Sequence, residues 1–127
     1  MKQGQIVKAF TTLKTLTAVK GLPFGTLSGL YQARRALSGH VEAQQEKEME
    51  IIRELGEVQQ DGTIKFNDQE EGPKEMNRRF LEIVGTEIEA KIEPVTVRID
   101  QAAADKLGLD GDILGALDGF VNFELTE

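Results

Sequence analysis

Apolar positions early in the chain recur about every 3.6 residues. Ile6, Phe10, Leu13 and Leu16, with Thr17, share one side of a helix predicted over 4–20, and Lys8 and Lys14 lie off that stripe. Gly21 supplies a C′ residue, and Leu22-Pro23 prevents the helix from continuing. Pro23 also suits the first turn of a second helix, where its missing N–H is not needed. Leu27, Leu30, Tyr31, Arg34, Leu37 and Val41 then mark one face, and Met49, Ile52 and Leu55 resume it. This predicts a helix over 24–55, nearly 50 Å long. Gly29 and Gly39 each weaken it by roughly 1 kcal/mol relative to Ala. Residues 42–50 are almost wholly polar, so that stretch reads either as a solvated bridge or as a break between two shorter helices.

Gly56 ends the helical pattern, and Asp61-Gly62 marks a hairpin between Val58 and Ile64. A two-residue loop would set Val58 and Ile64 on opposite faces. A three-residue loop, Gln60-Asp61-Gly62, pairs Val58 with Ile64 and keeps both on one face, which selects it with Gly62 left-handed. A polar loop over 67–73 leads into a helix over 73–84, with Met76, Phe80, Ile83 and Val84 inward and Gly85 at C′. Ile88, Ala90 and Ile92 alternate, and the parity flips at Pro94 to Val95, Val97 and Ile99. This reads as one long strand bent at Pro94 or as two strands meeting there. Asp100 is expected to cap a short helix through Leu107, and Asp112 another over 113–117. Val121, Phe123 and Leu125 alternate as a final strand. The expected class is α+β: an N-terminal antiparallel helical hairpin with one long helix, then a small, mostly antiparallel sheet with short helices.

Composition bounds the chemistry. The 127 residues make one domain, and the absence of Cys excludes a disulfide scaffold, thiol catalysis and thiolate metal sites. The single His excludes multi-histidine metal sites. No apolar run approaches the length of a membrane span, and no secretory h-region survives Lys8, Lys14 and Lys20. A cytoplasmic protein is expected.

Charge changes the picture more. The net charge of −7 divides into +6 over residues 1–41, which hold no acid, and −13 over residues 42–127. The single domain therefore reads as a basic helical part, 1–55, and an acidic α+β part, 56–127. The candidate interaction surface is Lys2, Lys8, Lys14, Lys20, Arg34 and Arg35, with Phe24 and Tyr31 as nearby aromatics. Such a surface suits an acidic protein partner or another copy of the chain. Nucleic acid is the weaker alternative, because the remainder is strongly acidic; a membrane partner is not expected.

No catalytic residue, cofactor or metal site is assigned. His40 is one imidazole beside Ser38, with no acid placed to complete a triad. The run from Asp110 through Asp118 resembles a calcium loop, but Leu114 and Val121 occupy ligand positions. Glu70-Glu71 and the Glu87/Glu89 pair read as solvated carboxylates, and no phosphate-cradling glycine motif occurs.

The segments Gly4–Phe10 with Leu13, Gly21–Phe24, Tyr31–Leu37, Asp61–Ile64, Phe80–Val84 with Glu87, and Asp112–Leu117 together resemble a family of small bacteriophage- and prophage-encoded proteins of unknown function. Such proteins are typically encoded near virion structural and assembly genes. The resemblance implies a non-enzymatic accessory or assembly role through protein–protein contacts, in the host cytoplasm or in the virion. A nucleic-acid-binding or anti-host regulatory protein is the alternative.

Overall fold

Helix α1 (Gln3–Thr17) puts Ile6, Ala9, Leu13 and Leu16 against Leu30, Ala33, Leu37 and Val41 of helix α2 (Phe24–Leu55). In this computed structural model, which describes residues 1–88 and 92–126, the two helices run antiparallel. The Gln3 side chain donates to the His40 carbonyl at one end, and Arg34 reaches Thr17 at the other. Between them Gly21 adopts φ +82°, the left-handed conformation that glycine tolerates without penalty. Helix α1 ends at Thr17, short of the expected 20, and Pro23 occupies the N-cap position of α2.

The polar stretch 42–50 does not break α2. The helix continues unbroken through 32 residues, about 48 Å. It persists because only its first half lies in the core. Beyond Gln44 no α2 residue is fully buried, so that stretch meets mostly solvent and tolerates a polar sequence.

Two strand pairs attach at opposite ends of α2. Strands β1 (Gly56–Val58) and β2 (Ile64–Phe66) form an antiparallel hairpin in the expected register, Val58 opposite Ile64. The Gln59 N–H donates to the Thr63 carbonyl at 2.7 Å, and Gly62 has φ +87°. Helix α3 (Glu71–Val84) folds back onto the distal half of α2. It starts two residues earlier than expected, and Gly85 is its C-cap with φ −83° rather than a C′ residue.

At the other end, β3 (Val95–Ile99) and β4 (Val121–Leu125) pair in parallel, joined by α4 (Gln101–Leu107) and α5 (Gly111–Leu117). Among the described residues, the anticipated α+β class is realised as two separate two-stranded sheets, one antiparallel and one parallel. Asp100 caps α4 as expected, accepting from the Ala103 N–H at 2.7 Å. The α5 cap is Asp110 rather than Asp112. Its carboxylate accepts from the Ile113 N–H at 2.8 Å, and Asp112 sits in the first turn. Asp110 wins because its backbone is still extended, as a cap requires. Of the strand expected upstream of Pro94, residues 89–91 lie outside the described residues; Ile88 and Ile92 pack against the core.

The core therefore gathers α1, the first half of α2, β3, β4, α4 and α5, with Val97, Ile99, Leu107, Leu117, Phe120 and Val121 closing it. The lobe of α2's end, the hairpin and α3 contains no fully buried large side chain among the described residues. Its buried positions are Gly56 and Gly72. The chain exposes 8406 Å², against about 6,700 Å² for a compact monomer of this mass. That excess fits a helix and a lobe projecting from the core.

Candidate interaction surface

Phe10 lies on the flank of α1 beside α2, and this half-buried ring collects cations from both helices. The Lys14 Nζ sits 6.0 Å from its centroid and the Arg34 guanidinium 5.7 Å. Arg34 is also 5.7 Å from the Tyr31 ring, one helical turn earlier on α2. Arg34 Nη1 donates to Thr17 Oγ1 at 3.3 Å, and that hydroxyl in turn donates to the Lys14 carbonyl at 3.1 Å. Ring faces carry negative quadrupole density, so they hold the cations in place without neutralising them. Among the described residues, neither Lys14 nor Arg34 has a carboxylate within 4.0 Å.

The other four candidates lie elsewhere. Six-residue steps turn about 240° around a helix, so Lys2, Lys8 and Lys14 point in three directions. Lys2, at the N-cap of α1, pairs through its backbone with Glu87 in a single antiparallel β-type contact. The Glu87 carboxyl is held below its ordinary range, chiefly by a hydrogen bond from the Met1 ammonium, with Lys2 contributing. Lys8 is exposed on α1, Lys20 in the turn after it, and Arg35 beside the partly covered Arg34 on α2. Phe24 stands 85% exposed at the start of α2, with no described cation over its ring. Phe10 takes the role assigned to it. Its i, i+4 spacing to Lys14 was visible in the sequence; its approach to Arg34 was not.

The acidic pole is layered. Glu42, Glu46 and Glu50 repeat at i, i+4 along the distal half of α2, sharing an exposed face with Gln45, Met49 and Arg53. At the end of α2, Glu54 pairs with Arg79 of α3, which also pairs with Glu75 at 2.9 Å. Arg78 pairs with both Glu75 and Glu82. Hydrogen bonds from Arg78 and Arg79 hold the Glu75 carboxyl down at about 2. Glu54 thus ties α3 to α2 while Glu71, Glu75 and Glu82 pair within α3, and among the described residues Glu42, Glu46 and Glu50 have no ion pair.

The remaining candidates have local roles. His40 lines a cavity of about 80 Å³ with Gln3, Gln44, Lys47 and Thr86. Ser38 Oγ donates to the Arg35 carbonyl at 2.9 Å. Glu70 and Glu71 are exposed beside Asp68, whose carboxylate accepts both their backbone N–H groups. Among the described residues no three acids or His converge as a metal-binding set, and no helix is long and apolar enough to cross a membrane. Comparison with protein-family models, curated proteins and solved structures finds no match.

Proposed function

We propose that the protein is a non-enzymatic protein-binding module, and that the Phe10–Lys14–Tyr31–Arg34 patch docks an acidic helical surface. One observation carries this reading: two cations from different helices are held at one ring with no described carboxylate beside them. An interface gains from such a patch because its side chains are already ordered, so little rotamer entropy is lost on binding. The chain carries a surface of the required kind in Glu42, Glu46 and Glu50. Docking that stripe onto the patch of another copy is a head-to-tail contact, which closes into a ring or propagates as a filament. In the phage or prophage setting that the sequence resemblance implies, the partner is a virion structural or assembly protein.

The test is fluorescence anisotropy with a labelled peptide of residues 42–50, beside labelled DNA and RNA, with sedimentation velocity of the whole chain in parallel. Peptide binding and self-association at low salt should weaken through 0.1 M, where charges are screened beyond about 10 Å. Peptide binding and the salt-sensitive part of the self-association should both be lost in Lys14→Ala/Arg34→Ala. Absence of either at low salt overturns the proposal, and tighter binding of DNA or RNA than of peptide replaces it with the nucleic-acid alternative.

A further inference from the structure

Parallel strands are ordinarily found within larger sheets covered on both faces, and two strands alone are marginal. Among the described residues, β3 and β4 form a parallel pair and nothing more. One edge of the pair is covered: the backbone carbonyl of Arg98 accepts from Thr26 Oγ1 of α2 at 2.7 Å. The other edge belongs to β4. The bonds Val95 N–H to Phe120 carbonyl and Thr126 N–H to Ile99 carbonyl show that the even-numbered peptide groups of β4 face β3. By strand alternation, the N–H and C=O groups of Val121, Phe123 and Leu125 point away from it. Phe123 and Leu125 make no backbone hydrogen bond to any described residue outside the β3–β4 ladder.

This edge has little of the usual protection, Glu124 being its one charge. Val-Asn-Phe-Glu-Leu contains no Pro, no Lys and no bulge, and Leu125 is 62% exposed. The hairpin differs, with charged Glu57 and Lys65 at the middle of its two short strands.

We propose that β4 pairs antiparallel with β4 of a second copy about a two-fold axis at Phe123, giving a continuous sheet ordered β3-β4-β4-β3. That register alone pairs all five residues of the segment with the same five of the other copy, and it is self-complementary. Phe123 meets Phe123, Val121 meets Leu125, and Asn122 meets Glu124, so apolar pairs fall on one face and no carboxylate opposes another. The outward peptide groups fit the same register. Residues 121, 123 and 125 all stand at hydrogen-bonded positions, and six backbone bonds close across the axis. This interface is distinct from the basic patch and rests on hydrogen bonds and apolar contact rather than on exposed charge.

Sedimentation equilibrium of the whole chain tests it, from about 1 µM to about 1 mM and at low and high salt. A dimer should form, persist at high salt and survive Lys14→Ala/Arg34→Ala, which separates it from the patch contact. Leu125→Pro removes an outward N–H while leaving the β3 ladder intact. Losing two bonds per dimer should weaken association roughly thirtyfold. The register is tested independently with Asn122→Cys/Glu124→Cys, since the chain has no other Cys. Opposed non-hydrogen-bonded positions place their Cα atoms about 4.5 Å apart, within disulfide reach. The double variant should form a covalent dimer on oxidation, and neither single variant should. A monomer throughout, or cross-linking by the single variants as readily as by the double, overturns the proposal.

Discussion

Replacing Gly56 by Ala should destabilise the end of α2 and the hairpin that follows it. Gly56 has extended backbone, φ 176°, so the substitution introduces no torsional penalty of its own. The cost comes from proximity. A Cβ there would lie 2.3 Å from the Lys65 carbonyl oxygen, 2.9 Å from its carbon and 2.9 Å from the Phe66 Cα. These are backbone atoms of the paired strand, held by the Gly56–Phe66 register and by the Asn67 N–H to Leu55 carbonyl bond of 2.8 Å. They cannot swing aside as a side-chain tip would, so the strands must separate at their first pair. Overpacking of this kind costs about 1–3 kcal/mol, and a disrupted ladder bond adds about 1 kcal/mol. A total of about 2–4 kcal/mol corresponds to a fall in Tm of roughly 8–15 °C, from an unfolding entropy of about 2.1 cal/mol/K per residue. Thermal denaturation followed by circular dichroism measures the total. Hydrogen exchange should show the loss concentrated in 56–66, because little buried side chain anchors that lobe. A Tm within 2 °C of the parent (about half a kcal/mol by the same conversion), with unchanged exchange in 56–66, would refute the reasoning.

Other expectations follow from the same structure. Gly39→Ala, where a Cβ meets nothing within 4 Å in the middle of α2, should stabilise by about 0.5–1 kcal/mol in a urea titration. A loss there would mean that the α2 surface at Gly39 is covered. Leu37→Ala, at a side chain 1% exposed, should cost about 2–5 kcal/mol, whereas Leu81→Ala, at one 72% exposed, should change stability by less than about 0.5 kcal/mol. Equal effects at the two sites would contradict the placement of the core. Carboxyl-resolved NMR should find Glu75 titrating at about 2, below its ordinary 4.5. Because the folded state holds the carboxylate down, its contribution to stability is present above pH 4.5 and is lost as pH falls toward 2. The Arg78→Ala/Arg79→Ala variant should return Glu75 toward 4.5; an unchanged titration would show that the two arginines are not the cause.

What the sequence determined by itself is what depends on neighbouring residues. The α2 boundaries follow from Pro23 and Gly56, the Asp100 cap from an oxygen two or three residues before N–H groups that need an acceptor, and the hairpin register from keeping Val58 and Ile64 on one face. Each is decided within a few residues, where spacing translates directly into geometry. Local readings shifted at the α5 cap, the end of α1 and both ends of α3, because adjacent residues there differ little in capping ability. Tertiary structure alone decided the rest. Nothing in the alternation of Val95–Ile99 or Val121–Leu125 states that the two strands run parallel; α4 and α5 carry the chain back to make them so. Likewise six cations in a row along the chain did not reveal that only Lys14 and Arg34 share a ring, since that meeting depends on how α1 packs on α2. Periodicity reports which side of an element is apolar, but the partner across a packed interface is chosen by the whole core.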